Sequence, residues 1–151
     1  MEKVMQRIIG RLLISLAVLA TAIIPIRSDW NDSHVFSTQW SPHARFHGIV
    51  SIGMPVLLAP VALWLLWRRS ADPDAAATVA ALIPVAYWGP FFVALLVPGA
   101  AIVDPRHRLK RICGVPSPLF GASATILVAG LGRYLDHRGR TARQCIAKSG
   151  V

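Results

Sequence analysis

Residues 75–103 read AAATVAALIPVAYWGPFFVALLVPGAAIV, without a single charged side chain. A soluble domain of ordinary composition carries a charge at about every fourth residue, so a stretch this long and apolar belongs in lipid. Working outward, residues 46–67 hold only His47 as an ionisable group, and residues 12–26 and 117–132 are uncharged. The first run extends to Ile8 across Arg11, which is expected to snorkel from a helix end. The fourth continues through Arg133 to Leu135. Crossing the hydrocarbon takes roughly 20 helical residues, and backbone groups in lipid must be satisfied within the segment. Four helices are therefore expected, over about 8–26, 43–67, 76–98 and 117–135, followed by a basic tail at 136–151. The fold class is all-α: a polytopic four-helix transmembrane bundle forming a single domain of 1–151. Pro84, Pro90 and Pro98 interrupt the third run, predicting a kink near Gly89–Pro90 and a helix end near Pro98.

The composition agrees. The hydrophobic class makes up 54% of the 151 residues and the charged class 15%, with a mean hydropathy of +0.52. This excludes a soluble globule and intrinsic disorder. Sixteen Lys and Arg stand against seven Asp and Glu, a net charge of +9. These cations flank the apolar runs and form no aromatic-interleaved stripe, so they point to headgroups and not to nucleic acid. Lys3, Arg7, Arg11 and Ala20-Thr21-Ala22 imitate a cleavable signal peptide, but the apolar run continues through Ile23, Ile24 and Ile26, which favours a retained helix. Ten basic residues fall on the side of the termini and six on the other. That bias predicts cytoplasmic termini, in a bacterial inner membrane. Cys113 and Cys145 flank the fourth helix and cannot pair within one chain.

Four crossings bring the first connection (27–43) and the third (about 98–116) to one face. The first reads Asp29-Trp30-Asn31-Asp32-Ser33-His34-Val35-Phe36, then Trp40-Ser41-Pro42-His43-Ala44-Arg45-Phe46-His47. Ser41-Pro42 is a helix start, a hydroxyl cap followed by a proline whose missing donor costs nothing at the first position. His43 and His47 then lie four apart on one helix face. The expected catalytic set is His34, His43, His47, Asp29 and Asp32, with His43 or His47 moving a proton and an aspartate orienting the ring. Trp30, Trp40 and Trp88 are expected to wall a substrate pocket, with Arg45, Asp104 and Arg106 holding polar or anionic groups. The three imidazoles His34, His43 and His47 are also a candidate Zn or Fe ligand set. Asp72-Pro73-Asp74 reads as a turn and helix cap, and Gly121, Gly130 and Gly132 as points of close helix approach. Asp136-His137 lies beyond the last span and is assigned no role.

The pattern W-N-x-x-H-x-F followed by W-x-P-H-A-R-F-H resembles the signature of an uncharacterised family of small four-helix membrane proteins of bacteria and fungi. The resemblance covers about twenty residues. It implies a four-helix fold and directs attention to His34, His43 and His47, but it supplies no activity. A looser likeness is to membrane sterol isomerases and small membrane terpene cyclases, which set acidic residues and tryptophans between helices. The absence of carboxylates within the four runs counts against that chemistry. The expected function is an isomerase- or cyclase-type enzyme on a lipophilic small molecule at an interfacial His-rich pocket, in contact with membrane lipids. The alternative is an accessory subunit or a small transporter working as a homodimer.

Overall fold

A computed structural model of the chain describes residues 2–103 and 108–149, with side chains through Arg140. The long helices are α1 (Glu2–Asp29), α2 (Pro42–Trp67), α3 (Pro73–Trp88) and α5 (Ser117–Ser149). A short α4 (Pro90–Ala94) and a two-residue hairpin, β1 (Arg111–Ile112) with β2 (Val115–Pro116), occupy the third connection. Four helical segments are long and apolar enough to cross a membrane, α3 and α4 together counting as one. The fold is the expected all-α bundle. Large apolar side chains cover its outside, among them Leu57, Leu96 and Leu127. That surface suits lipid and not water.

The helix starts follow local chemistry. Ser41 Oγ accepts the Ala44 N–H at 3.1 Å with Pro42 at the first helical position. Asp72 Oδ1 accepts the N–H groups of Asp74 and Ala75, with Pro73 behind it. The third run breaks where Pro90 cannot donate into the helical ladder. Gly89 keeps helical angles there and still bonds Val85 O at 2.8 Å. The chain leaves the helix at Ala94, before Pro98, and turns at Gly99 with φ +84°. The hairpin was not foreseen. Its two turn residues, Cys113 and Gly114, have φ of 50° and 79°, the left-handed pair that a tight two-residue hairpin demands.

The core is built from small residues. Ala77, Ala80 and Ala81 on α3 meet Ala59, Ala62 and Leu66 on α2 and Ile14, Val18 and Ala22 on α1. Alanine lets helices approach closely, which matters where lipid offers no hydrophobic drive between them.

The tightest contact joins α1 to α5, antiparallel. A Cβ on Gly10 would lie 2.4 Å from Asp136 N and 2.6 Å from Gly132 O, and one on Gly132 would lie 2.7 Å from Gly10 O. Gly139 abuts Lys3 and Arg7 in the same way. Gly121 and Gly130 have open space instead, so of the three glycines expected at helix contacts only Gly132 is one.

Three further expectations are corrected here. Residues 136–149, expected as a tail, continue α5. Asp136, assigned no role, is 0% exposed. Its Oδ1 lies 3.2 Å from Arg11 Nε and 3.8 Å from Arg7 Nε, and its Oδ2 accepts Arg140 Nε at 2.7 Å. Arg11 does not snorkel outward; it turns in to this carboxylate and rests 5.8 Å from the Trp67 ring centroid. On the same face Arg133 donates to Asp74 Oδ2 at 2.7 Å and to Thr78 Oγ1 at 2.9 Å, linking α5 to α3. Trp67 Nε1 donates to Ser15 Oγ at 3.0 Å, linking α2 to α1.

Because backbone and not a flexible side chain faces Gly10, Gly10→Ala is expected to cost at least about 2 kcal/mol. Gly130→Ala should be neutral or slightly stabilising through helix propensity. Thermal unfolding of the two variants in detergent checks this; equal midpoints would contradict the close crossing.

Candidate functional site

The connection Asp29–Trp40 folds around Asn31. The Asn31 amide donates through Nδ2 to Ser28 O at 2.6 Å, and its Oδ1 accepts the Ser33 N–H at 2.9 Å. This is an Asx-type turn, the reason asparagine suits the position. Further bonds close the loop: Val35 N–H donates to Asp29 O, and both His34 and Phe36 N–H donate to Asn31 O. Val35 and Ser37 are thereby buried. Arg45 Nη2 donates to Ser37 O at 2.9 Å and ties the loop to α2. Trp40 packs onto α2 at Gly48, where a Cβ would meet the indole ring at 2.6 Å. Its ring then stands edge-on to His34, centroids 5.8 Å apart.

These contacts fix the His34 ring and its tautomer. Asn31 is oriented by two backbone bonds, so its Oδ1 is the acceptor for the Ser33 hydroxyl at 2.6 Å. That hydroxyl has one hydrogen. It therefore accepts from His34 Nδ1 at 2.8 Å, and in the neutral ring Nδ1 carries the proton. The lone pair is left on Nε2, 4.0 Å from Asp29 Oδ1.

His34 and Asp29 line a cavity of about 780 Å³ between α1, α3, α5 and the third connection. Ser28, Ser33, Arg108 and Lys110 complete its polar side, and Ile24, Trp88, Phe91, Ile102 and Val103 its apolar side. Trp88 is 3% exposed, held by a 3.0 Å bond from Nε1 to Thr21 Oγ1. A second, apolar cavity of about 330 Å³ adjoins the first and shares Phe91, Ile102 and Pro118 with it. It continues among Pro90, Ala94, Leu95 and Leu119. One end is thus cationic and hydrogen-bonding, the other purely apolar.

The other expected site residues are placed elsewhere. His43 and His47 stand side by side, Nε2 to Nε2 3.1 Å, and both are exposed. They do not line the cavity that holds His34, and among the described residues no three His, Cys, Asp or Glu side chains form a metal-holding group. A structural or catalytic zinc needs at least three protein ligands; the His43–His47 pair supplies two. The separation arises because the Asx turn draws His34 back toward Asp29, while helical spacing fixes His43 and His47 on the outer side of α2. Trp30 is half exposed against Phe36, and Asp32 is exposed. Asp104 and Arg106 lie outside the described residues. Sequence reasoning missed Ser33, Arg108 and Lys110. The Asn31-x-Ser33 turn was a usable signal for the first; the two cations were hidden within a basic run.

Fold and site together define an integral membrane protein of four helices with an amphipathic cavity at one end of the bundle. The chain belongs to a family of unknown function, DUF6640, whose model matches residues 13–146. No curated protein and no solved structure matches it significantly.

Histidine ring ¹⁵N shifts of the purified protein at alkaline pH should show His34 with its proton on Nδ1. In Asn31→Ala the freed Ser33 hydroxyl can donate to Nδ1, moving the proton to Nε2. A wild-type ring already protonated on Nε2 would refute the bonding scheme.

Proposed function

We propose that this protein binds a lipophilic small molecule with a polar or anionic head and catalyses a proton-transfer rearrangement of it, of the isomerase or cyclase kind. The observation that supports this best is the composition of two adjoining cavities. An imidazole, a carboxylate and two cations line one side of the first, and the second, lined by apolar side chains, leads away from them. Arg108 and Lys110 hold the head, since charge-assisted bonds are the strong ones. The hydrophobic part runs past Phe91 and Ile102 toward Leu119. His34 Nε2 takes and returns the proton, Ser33 holds the ring, and Asp29 stabilises the imidazolium that forms. Proton transfer thus moves from His43 or His47, where spacing alone put it, to His34. Trp88 walls the cavity and favours a cationic intermediate over its ring face. The basic bias of the termini face orients both termini to the cytoplasm of a bacterial inner membrane.

Mass spectrometry of organic extracts from the purified protein tests this. The wild type should retain a small amphipathic molecule. Arg108→Ala combined with Lys110→Ala should lower retention about tenfold or more, from the loss of charge-assisted bonds. His34→Asn should keep retention within about twofold while changing the ratio of isomeric species, because it removes the base and not the grip. No retained molecule in the wild type, or equal retention in the double variant, defeats the reading. Retention with an unchanged isomer ratio in His34→Asn would leave a carrier or accessory role.

A further inference from the structure

The opposite face of the bundle carries a cleft that shares no lining residue with the cavity at His34. This cleft of about 150 Å³ is lined by Val4, Arg7, Ile8, Arg11, Trp67 and Gly139. Arg7 and Arg11 lie along its α1 side, and both also face Asp136 together with Arg140. Three guanidiniums offer about fifteen N–H donors, whereas one carboxylate offers roughly four acceptor sites. The donors of the cluster thus outnumber what Asp136 alone can accept. Among the described residues no acidic side chain lines the cleft. Asp74 on this face is engaged by Arg133 and His137. The remaining wall is apolar and open: Val4, Ile8 and Trp67 are each 42–48% exposed. Trp67 ends α2, and Arg68 and Arg69 follow it. A guanidinium fork beside apolar surface at the end of a membrane-crossing helix matches a phosphate with a hydrocarbon body below it.

We propose that this cleft binds a phosphate-bearing anion, through Arg7 and Arg11, with Val4 and Ile8 against whatever apolar part it carries. The phosphate can come from an anionic phospholipid or from solution, and the test separates these sources. The full chain is placed in phosphatidylcholine vesicles, in vesicles also containing phosphatidylglycerol, and in the first vesicles with inorganic phosphate added. Native mass spectrometry reads retained lipid, and thermal unfolding reads stabilisation. Phosphatidylglycerol should be retained in preference to phosphatidylcholine and should raise the midpoint. Arg7→Gln should cut that retention about fivefold, the effect of one basic group near a headgroup. Val4→Glu sets a carboxylate at the cleft mouth without touching Asp136 and should cut it at least as far, so a folding failure of Arg7→Gln does not spoil the test. A midpoint rise with inorganic phosphate, lost in Val4→Glu, would support the site with free phosphate as its source. The proposal is overturned if phosphatidylglycerol is retained no better than phosphatidylcholine and phosphate raises nothing. It is equally overturned if folded Val4→Glu keeps wild-type retention and stabilisation.

Discussion

A carboxylate removed wholly from solvent has to be met by opposite charge, because burying an ion alone costs far more than a domain's net stability. Asp136 imposes that condition on this protein. It is met by Arg140 one turn later on α5 and by Arg7 and Arg11 on α1. Those partners come within reach only because Gly10, Gly132 and Gly139 let the two backbones touch. Charge and shape therefore act on the same pair of helices. Removing one partner of a buried ion pair is costly because of what it leaves behind, and replacing the whole set by apolar groups is often tolerated. The arrangement thus specifies which helices meet, and in what register, more than it adds net stability.

The two ends of the bundle differ in consequence. At the termini face, ion pairs and indole bonds tie α1 to α5, α3 to α5 and α2 to α1. At the other face the helices are joined by irregular connections, and the space between them is left as cavity. The tight α1–α5 crossing at one end holds the bundle together around the cavities at the other. Trp88 and Thr21 form the floor between the two regions, a buried donor and acceptor that satisfy each other deep in the core. Across the two adjoining cavities polarity falls from Arg108 and Lys110 to Leu119.

The fold was legible in the sequence because uncharged length is a direct readout of the cost of placing charge in lipid. Helix starts at Ser41-Pro42 and Asp72-Pro73 were legible for an equally local reason: cap and proline act within one turn. The continuation of α5 was not, since Asp136, His137, Arg138 and Arg140 end the apolar run and resemble a solvated tail. Only the register of Gly132, Asp136 and Gly139 against α1 shows why that stretch is packed. The candidate site was half legible. Helical spacing correctly put His43 beside His47, but periodicity is silent about which way a pair faces relative to neighbouring helices. His34 sits in a loop whose path is set by one asparagine, and a turn's direction is fixed by tertiary contacts that no spacing rule encodes. Arg108 and Lys110 lie just before a hairpin of six residues, too short to leave a pattern.

The most direct measurement is the unfolding free energy of Asp136→Asn against wild type in the same detergent micelles. Asparagine keeps the size of the side chain, removes the charge and turns one of the two acceptor oxygens into an NH2 donor, leaving three guanidiniums crowded at the α1–α5 crossing. A loss of about 3–5 kcal/mol is expected, the range for orphaning a buried ionic partner. Wild-type stability in a variant that retains its helical content would contradict the claim that this carboxylate sets how α1 and α5 meet.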